Sequence, residues 1–226
     1  MKNKSYIGIS FIILVFGILV IPKIIDRIKG NEVVQNDRMS AGNSTNGGKS
    51  LVTIGQVPKF ELIDENNKKI TDKDYLGKVY VVEFFFSTCP SICPIMNKNM
   101  IEIEKDFADN KNFGIASVTI NPENDTPQVL KDHKEALGIT SPNWHFLSGD
   151  KAYILDIANK GFNLYAKQND KIAGGFEHSG YFALVDKNGK ITSRKDAQNN
   201  PIIYYNGLEK KDVAMLKEDI KLLLQE

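Results

Sequence analysis

The sequence predicts an α/β domain built around strands buried on both faces, and three observations carry this. Residues 79–86 and 113–120 form two near-continuous apolar runs, the pattern of strands covered on both sides. Between them Met96, Met100, Ile103 and Phe107 recur at spacings of four, three and four, which is one face of a helix. Near the C-terminus Asp186-Lys187-Asn188-Gly189 separates two short β-prone runs, a strong hairpin signal.

The elements follow in order. Residues 6–21 carry no charge, with Lys2 and Lys4 before them and Pro22-Lys23 after. At about 1.5 Å per residue they reach roughly 24 Å, and Ile24, Ile25 and a snorkelling Lys23 can extend this towards the ~30 Å hydrocarbon core. The run ends without a small-x-small cleavage site, and no cysteine follows it to take a lipid. The expectation is an uncleaved single transmembrane helix, with residues 1–22 as short cytoplasmic N-terminus and anchor. Lysines and arginines flank it on both sides, so charge alone does not orient it. Residues 23–50, polar and rich in Gly, Ser and Asn towards their end, read as a flexible linker. The folded domain is expected over residues 51–226.

In that domain Asp64-Glu65-Asn66-Asn67 marks an N-terminal hairpin between residues 60–63 and 69–71. The first long strand runs into Cys89, and Pro94 suits the first turn of the helix that follows. Asp125-Thr126-Pro127 starts a second helix, residues 144–147 form a short strand, and Asp150 caps a helix reaching about Lys160. After the last hairpin the chain closes on a helix with Val213, Leu216, Ile220 and Leu223 on its apolar face. A β-α-β-α unit followed by a hairpin and a helix is a thioredoxin-like plan.

A net charge of +1 gives no basis for nucleic-acid binding, and two cysteines are too few for a disulfide scaffold. Both cysteines sit in Ser87-Thr88-Cys89-Pro90-Ser91-Ile92-Cys93-Pro94. Strand, turn, two thiols, helix places sulfur where free backbone N–H groups and the helix dipole favour the thiolate. Such a pair either exchanges electrons as a disulfide or binds a soft metal.

The chain from about Gly55 onward resembles the Sco/SenC proteins, copper-binding assembly factors for cytochrome c oxidase. The resemblance rests on an ordered set. It comprises Pro58-Lys59-Phe60-Glu61-Leu62, Gly77-Lys78, the run from Phe84 to Pro94, Asn121-Pro122-Glu123-Asn124-Asp125-Thr126-Pro127, Trp144-His145-Phe146-Leu147-Ser148-Gly149, and Glu177-His178-Ser179. It implies copper, Cu(I) or Cu(II), one per domain, held by Cys89, Cys93 and His178. It implies as partners an oxidase subunit with a dinuclear copper site, a copper donor protein and a thiol reductant. The sequence departs from the family where Asn121 and Glu177 stand in place of aspartates, and in a small insertion over residues 196–203.

The remaining candidates read as structural. His133 falls mid-helix beside apolar positions, His145 reads as strand surface, and Met96 and Met100 lie at core spacing. His178 follows Gly174-Gly175, and the expectation is a mobile loop that swings the imidazole to the metal. Two function classes stand side by side: copper delivery to, or thiol preparation of, an oxidase copper site, and thiol–disulfide exchange without a copper role. A thiol peroxidase is a weaker third. Dedicated thioredoxin-type reductases use C-x-x-C, whereas here three residues separate the sulfurs and His178 is added, which favours copper. Thiols and copper belong in an oxidising compartment, so the domain is expected on the periplasmic side of the inner membrane.

Overall fold

The structure is a computed structural model that describes residues 14–16 and 51–226. Leu14, Val15 and Phe16 are helical and exposed. The rest of the expected anchor and the linker lie outside the described residues. Among the described residues no helix is long and apolar enough to cross a membrane.

The domain is a mixed sheet with helices between its strands. Its strands are β1 (Val52–Gln56), β2 (Glu61–Asp64), β3 (Lys69–Thr71), β4 (Val79–Phe85), β5 (Phe113–Thr119), β6 (Trp144–Ser148), β9 (Tyr181–Val185), β10 (Lys190–Ser193) and β11 (Tyr205–Asn206). The order across the sheet is β1-β10-β9-β4-β5-β6-β2-β3, with β11 also pairing β9. β4, β5 and β6 are parallel, while β9 joins β4 antiparallel. Two further strands, β7 (Ala166–Gln168) and β8 (Phe176–His178), form a separate hairpin.

Every residue of β4 and β5 is buried, which is why both read as unbroken apolar runs rather than alternating ones. Helix α1 (Cys93–Phe107) crosses from β4 to β5 and α2 (Pro127–Ala136) from β5 to β6. The C-terminal helix α4 (Lys210–Gln225) packs on both α1 and β4. Met96, Met100 and Ile103 of α1 are fully buried, together with Leu216 and Ile220 of α4. These apolar stripes hold α1, and with it Cys93, against the sheet.

Local sequence explains the boundaries. Thr126 caps α2, its hydroxyl accepting from Val129 N–H at 3.4 Å with Pro127 in the first turn. Asp150 accepts from Tyr153 N–H at 2.8 Å and opens α3 (Lys151–Asp156), whose last part continues as a π-helical turn over Ile157–Gly161. In the last hairpin Asp186 Oδ1 accepts from Asn188 and Lys190 N–H, and Gly189 supplies the required positive φ of 73°. Residues 196–200 make a turn of the same kind: Asp196 Oδ1 accepts from Gln198 and Asn200 N–H between the bridged Lys195 and Pro201.

The structure differs from the sequence reading in several places. β1 was not anticipated, because Gly55 and a bulge between Thr53 and Gly55 break its alternation. The β7–β8 hairpin was not anticipated either, and it moves His178 out of the glycine loop onto a strand, opposite Ala166. His145 is half-buried rather than on the surface. It packs edge-on against the Tyr75 ring at 6.0 Å, with Nδ1 3.5 Å from the buried Asp64 carboxylate.

Candidate metal centre

The site forms at the C-terminal ends of the parallel strands. β4 ends at Phe85, and residues 86–92 form the loop that delivers the thiols to α1. This loop is tethered by Asp125, a fully buried carboxylate. Asp125 accepts from Ser87 N–H at 3.0 Å, from the hydroxyls of Ser87 and Thr119, and from the Asn124 amide at 2.8 Å. The sequence marked Asp125 only as part of a helix start. Its second role came from tertiary placement, and the clue available was an acid beside an Asn-Pro turn rather than a motif.

Cys93 is the first residue of α1 and is 2% exposed, while Cys89 precedes it in the loop at 9% exposure. Both thiols are free. The Cys89 thiol lies well below the ordinary thiol range. The hydrogen bond from Cys93 is the main cause, His178 and the backbone N–H groups of Ser91 and Cys93 add to it, and burial opposes it. Cys93 is pushed up, first because it shares its proton with Cys89 and then by burial. The more exposed Cys89 is thus the sulfur favoured as thiolate and the more buried Cys93 the one favoured as thiol.

His178 arrives from β8. Its Nε2 lies 3.2 Å from Cys93 Sγ, and its Nδ1 lies 3.1 Å from the Ser179 carbonyl. The carbonyl can only accept, so Nδ1 carries a proton, and Nε2 is the ring nitrogen that faces the sulfurs. The ring edge meets Phe86 at 5.9 Å between centroids, and Phe86 in turn packs on Phe176 of β8. Glu177 ties the same hairpin from its other side, accepting from Tyr165 OH at 2.9 Å and from the Asn169 amide. The imidazole is thus held by a strand pair and an aromatic contact. Asn121 serves its turn, donating its N–H to Thr119 Oγ1 and accepting from Asn124 and Asp125 N–H.

The ligand atoms of Cys89, Cys93 and His178 all lie within 4.8 Å of one another. Two thiolates and a neutral imidazole in a mostly buried pocket form a soft donor set of three, suited to copper more than to four-coordinate zinc. A second cluster, Asp64, Glu65 and His145, meets the same distance criterion. Its carboxylates are already engaged. Glu65 holds Lys134 Nζ at 2.6 Å and Phe146 N–H at 3.1 Å, and Asp64 closes the β2–β3 turn through Asn66 and Lys68 N–H. His133 stacks on Phe85 and contacts Asn97, and Met96 and Met100 are core, in line with their structural reading.

Comparison with known proteins agrees with this architecture. The SCO1/SenC family model matches residues 53–211. An SCO1 protein homolog from Bacillus subtilis is 29% identical over 171 residues, covering 74% of this chain and 81% of that protein. A SCO2-like protein of Rickettsia typhi is 34% identical over 146 residues, covering 63% and 70%. Among solved structures, BsSco, a member of the Sco family of cytochrome c oxidase assembly proteins in which a disulfide switch was identified, superposes with a TM-score of 0.65. It is 27% identical, covering 80% of this chain and 99% of that one. Copper-bound ScoI of Bradyrhizobium japonicum superposes with a TM-score of 0.53 at 25% identity, covering 72% and 98%. With the matched segment spanning the sheet, the thiol loop and the His178 hairpin, this chain belongs to the SCO1/SenC family.

Proposed function

We propose that this protein binds one copper ion through Cys89, Cys93 and His178 and serves the assembly of the copper site of cytochrome c oxidase. It would do so by delivering copper or by keeping the recipient's thiols reduced. The observation that carries the reading is the convergence of two sulfurs and an Nε2 within 4.8 Å, with the imidazole tautomer fixed by the Ser179 carbonyl. A thiol–disulfide reductase needs only the sulfurs. An imidazole on a separate hairpin, with Nε2 turned towards them, adds a ligand that thiol exchange does not require. The relatives support the reading, since copper-bound structures exist for ScoI of Bradyrhizobium japonicum and BsSco belongs to a family of oxidase assembly proteins.

The domain is proposed to face the periplasmic or equivalent extracytoplasmic side, tethered by residues 6–21 and the linker to residue 50. Support comes from the charge-free run and from thiol chemistry suited to an oxidising compartment. Alkaline extraction should leave the full-length protein in membranes, and protease added to spheroplasts should digest the domain.

The test of the copper reading is stoichiometry. Full-length protein, reduced and dialysed against Cu(I) without oxygen, should retain one copper. The Cys89–Cys93 disulfide form should retain far less, because only thiolates are good ligands. Equal retention by both forms would remove the thiolate site.

A further inference from the structure

His178 ends β8, which pairs with β7 in a two-stranded sheet. A two-stranded hairpin is marginally stable by itself, so a contact from outside must fix where it sits. Backbone bonds from Ser179 N–H to Tyr165 O, at 2.9 Å, and from Asn169 N–H to Gly175 O, at 2.8 Å, mark two hydrogen-bonded pairs. These alternate along an antiparallel ladder. Ala166 and His178 are therefore a non-hydrogen-bonded pair, the kind whose residues approach most closely. The N–H and C=O of Ala166 accordingly point away from β8. Ala166 is only 3% exposed, and a buried peptide group needs partners.

Asn159 meets both groups. Its Oδ1 accepts from Ala166 N–H at 3.2 Å, and its Nδ2 donates to Ala166 O at 2.7 Å. Nδ2 also donates to Leu155 O at 2.8 Å, and two carbonyls on that side fix which way the amide faces. The side chain thus does for β7 what a third strand would do. Asn159 lies in the π-helical turn Ile157–Gly161. The residue that follows this turn is held independently: Tyr204 OH donates to Phe162 O, and the Phe162 ring meets Phe84 of β4 at 5.8 Å. β4 is also the strand that runs into the thiol loop. One strand therefore sets the place of the sulfurs and, through Phe162, Asn159 and Ala166, that of the imidazole.

We infer that Asn159 is a positioning residue of the metal centre: by clasping the peptide groups of Ala166 it sets how closely His178 Nε2 approaches the sulfurs. This rests on the proposed copper site. The hydrogen bonds of Asn159 go to Leu155 and Ala166, whereas Cys89 and Cys93 are placed by the thiol loop and α1. Loosening the clasp should therefore remove the imidazole's share of binding and spare the sulfurs' share. Cu(II) gains most from the nitrogen donor and reports the first, while Cu(I) is served by two thiolates and reports the second.

The test uses reduced full-length protein in mild detergent, titrated without oxygen with Cu(I) and with Cu(II) against competing chelators. Asn159→Ala should lower Cu(II) affinity about tenfold, the low end for a residue that orients a ligand. Cu(I) affinity should fall less than about twofold. The imidazole nitrogen coupling in the Cu(II) electron paramagnetic resonance spectrum should weaken. Asp150→Ala is the control. It removes the cap of the same helix, where Asp150 accepts from Tyr153 N–H at 2.8 Å, but leaves the clasp. It should lower stability with Cu(II) affinity and spectrum unchanged. Hydrogen exchange of the native protein needs no variant: Ala166 N–H should exchange as slowly as Ser179 N–H, which is bonded across the hairpin. Unchanged Cu(II) binding in Asn159→Ala, an equal loss of it in Asp150→Ala, or fast exchange at Ala166 would overturn the positioning role. His178→Ala, run in parallel, separates the two claims. Loss of Cu(II) binding there without loss in Asn159→Ala sinks only the clasp, and unchanged Cu(II) binding in His178→Ala sinks the copper site on which it rests.

Discussion

Glu83 sits at the centre of β4 with no solvent exposure, a carboxyl inside a strand where every neighbour is buried. Ser117 Oγ donates to its Oε1 at 2.7 Å and receives a hydrogen bond from Trp144 Nε1 at 2.9 Å, while Oε2 has no partner. Burial pushes its pKa from 4.5 up to about 7, against the smaller opposing effects of the Ser117 hydrogen bond and nearby His178. The unfolded chain releases this proton near 4.5, whereas the folded protein keeps it to about 7. Between these values the native state binds more protons, so stability falls as pH rises through the window and levels off above about 7. At about 1.4 kcal/mol per pH unit the loss is roughly 3 kcal/mol. Glu83→Gln stays neutral throughout and keeps the bond from Ser117. Its stability relative to the native protein should therefore rise by roughly 3 kcal/mol between pH 4 and pH 8, most of it between 4.5 and 7. Urea unfolding of the reduced protein, followed by fluorescence of the single tryptophan, Trp144, measures this directly. Groups common to both proteins cancel in the difference. Two stability curves that run parallel from pH 4 to pH 8 would refute the buried-proton argument.

Other substitutions test the site and its support. His178→Ala should weaken Cu(II) binding strongly and Cu(I) binding less, since two thiolates already suit Cu(I), while leaving disulfide reduction largely intact; metal titrations and a thiol-exchange assay read the three outcomes. Asp125→Asn replaces an acceptor of four hydrogen bonds at the base of the thiol loop. It should cost roughly 2–4 kcal/mol in urea unfolding and reduce copper affinity together with stability. Gly174→Ala puts a Cβ at φ +88°, 2.9 Å from Phe86 and 3.0 Å from Pro90, so it should cost roughly 1–3 kcal/mol and disturb copper binding. Gly175→Ala, at φ +78° with open space around it, should cost less and spare the metal site. Equal effects of the two alanines on copper affinity would show that the His178 hairpin is not seated against the thiol loop as described.

Much of the fold was legible because its central strands are covered on both faces. Burial of all of β4 and β5 writes itself as apolar runs, and α1 and α4 show their inward faces at helical spacing. Turn chemistry fixed two hairpins through Asp64 and Asp186, whose carboxylates accept from the N–H groups two and four residues on. What escaped was short or non-local. β7 and β8 have three residues each and no clear alternation, so His178 read as part of a glycine loop. The half-burial of His145 depends on Tyr75, distant in sequence, and the clamp on Ser87 depends on Asp125, 38 positions away. The thiol pair itself is plain from its motif, but the sequence does not show that Cys89 is the outer sulfur, favoured as thiolate, and Cys93 the inner one, favoured as thiol. That asymmetry comes from the loop and helix geometry.

The central claim is that one copper ion is held by two sulfurs and one imidazole. X-ray absorption at the copper edge of the loaded full-length protein tests it most directly, alongside the His178→Ala variant. The chain has three histidines, and His133 and His145 are engaged elsewhere. The native protein should show a shell of two sulfurs and one imidazole nitrogen, with the imidazole signal lost in the variant. A shell lacking sulfur, or an imidazole signal that survives His178→Ala, would contradict it.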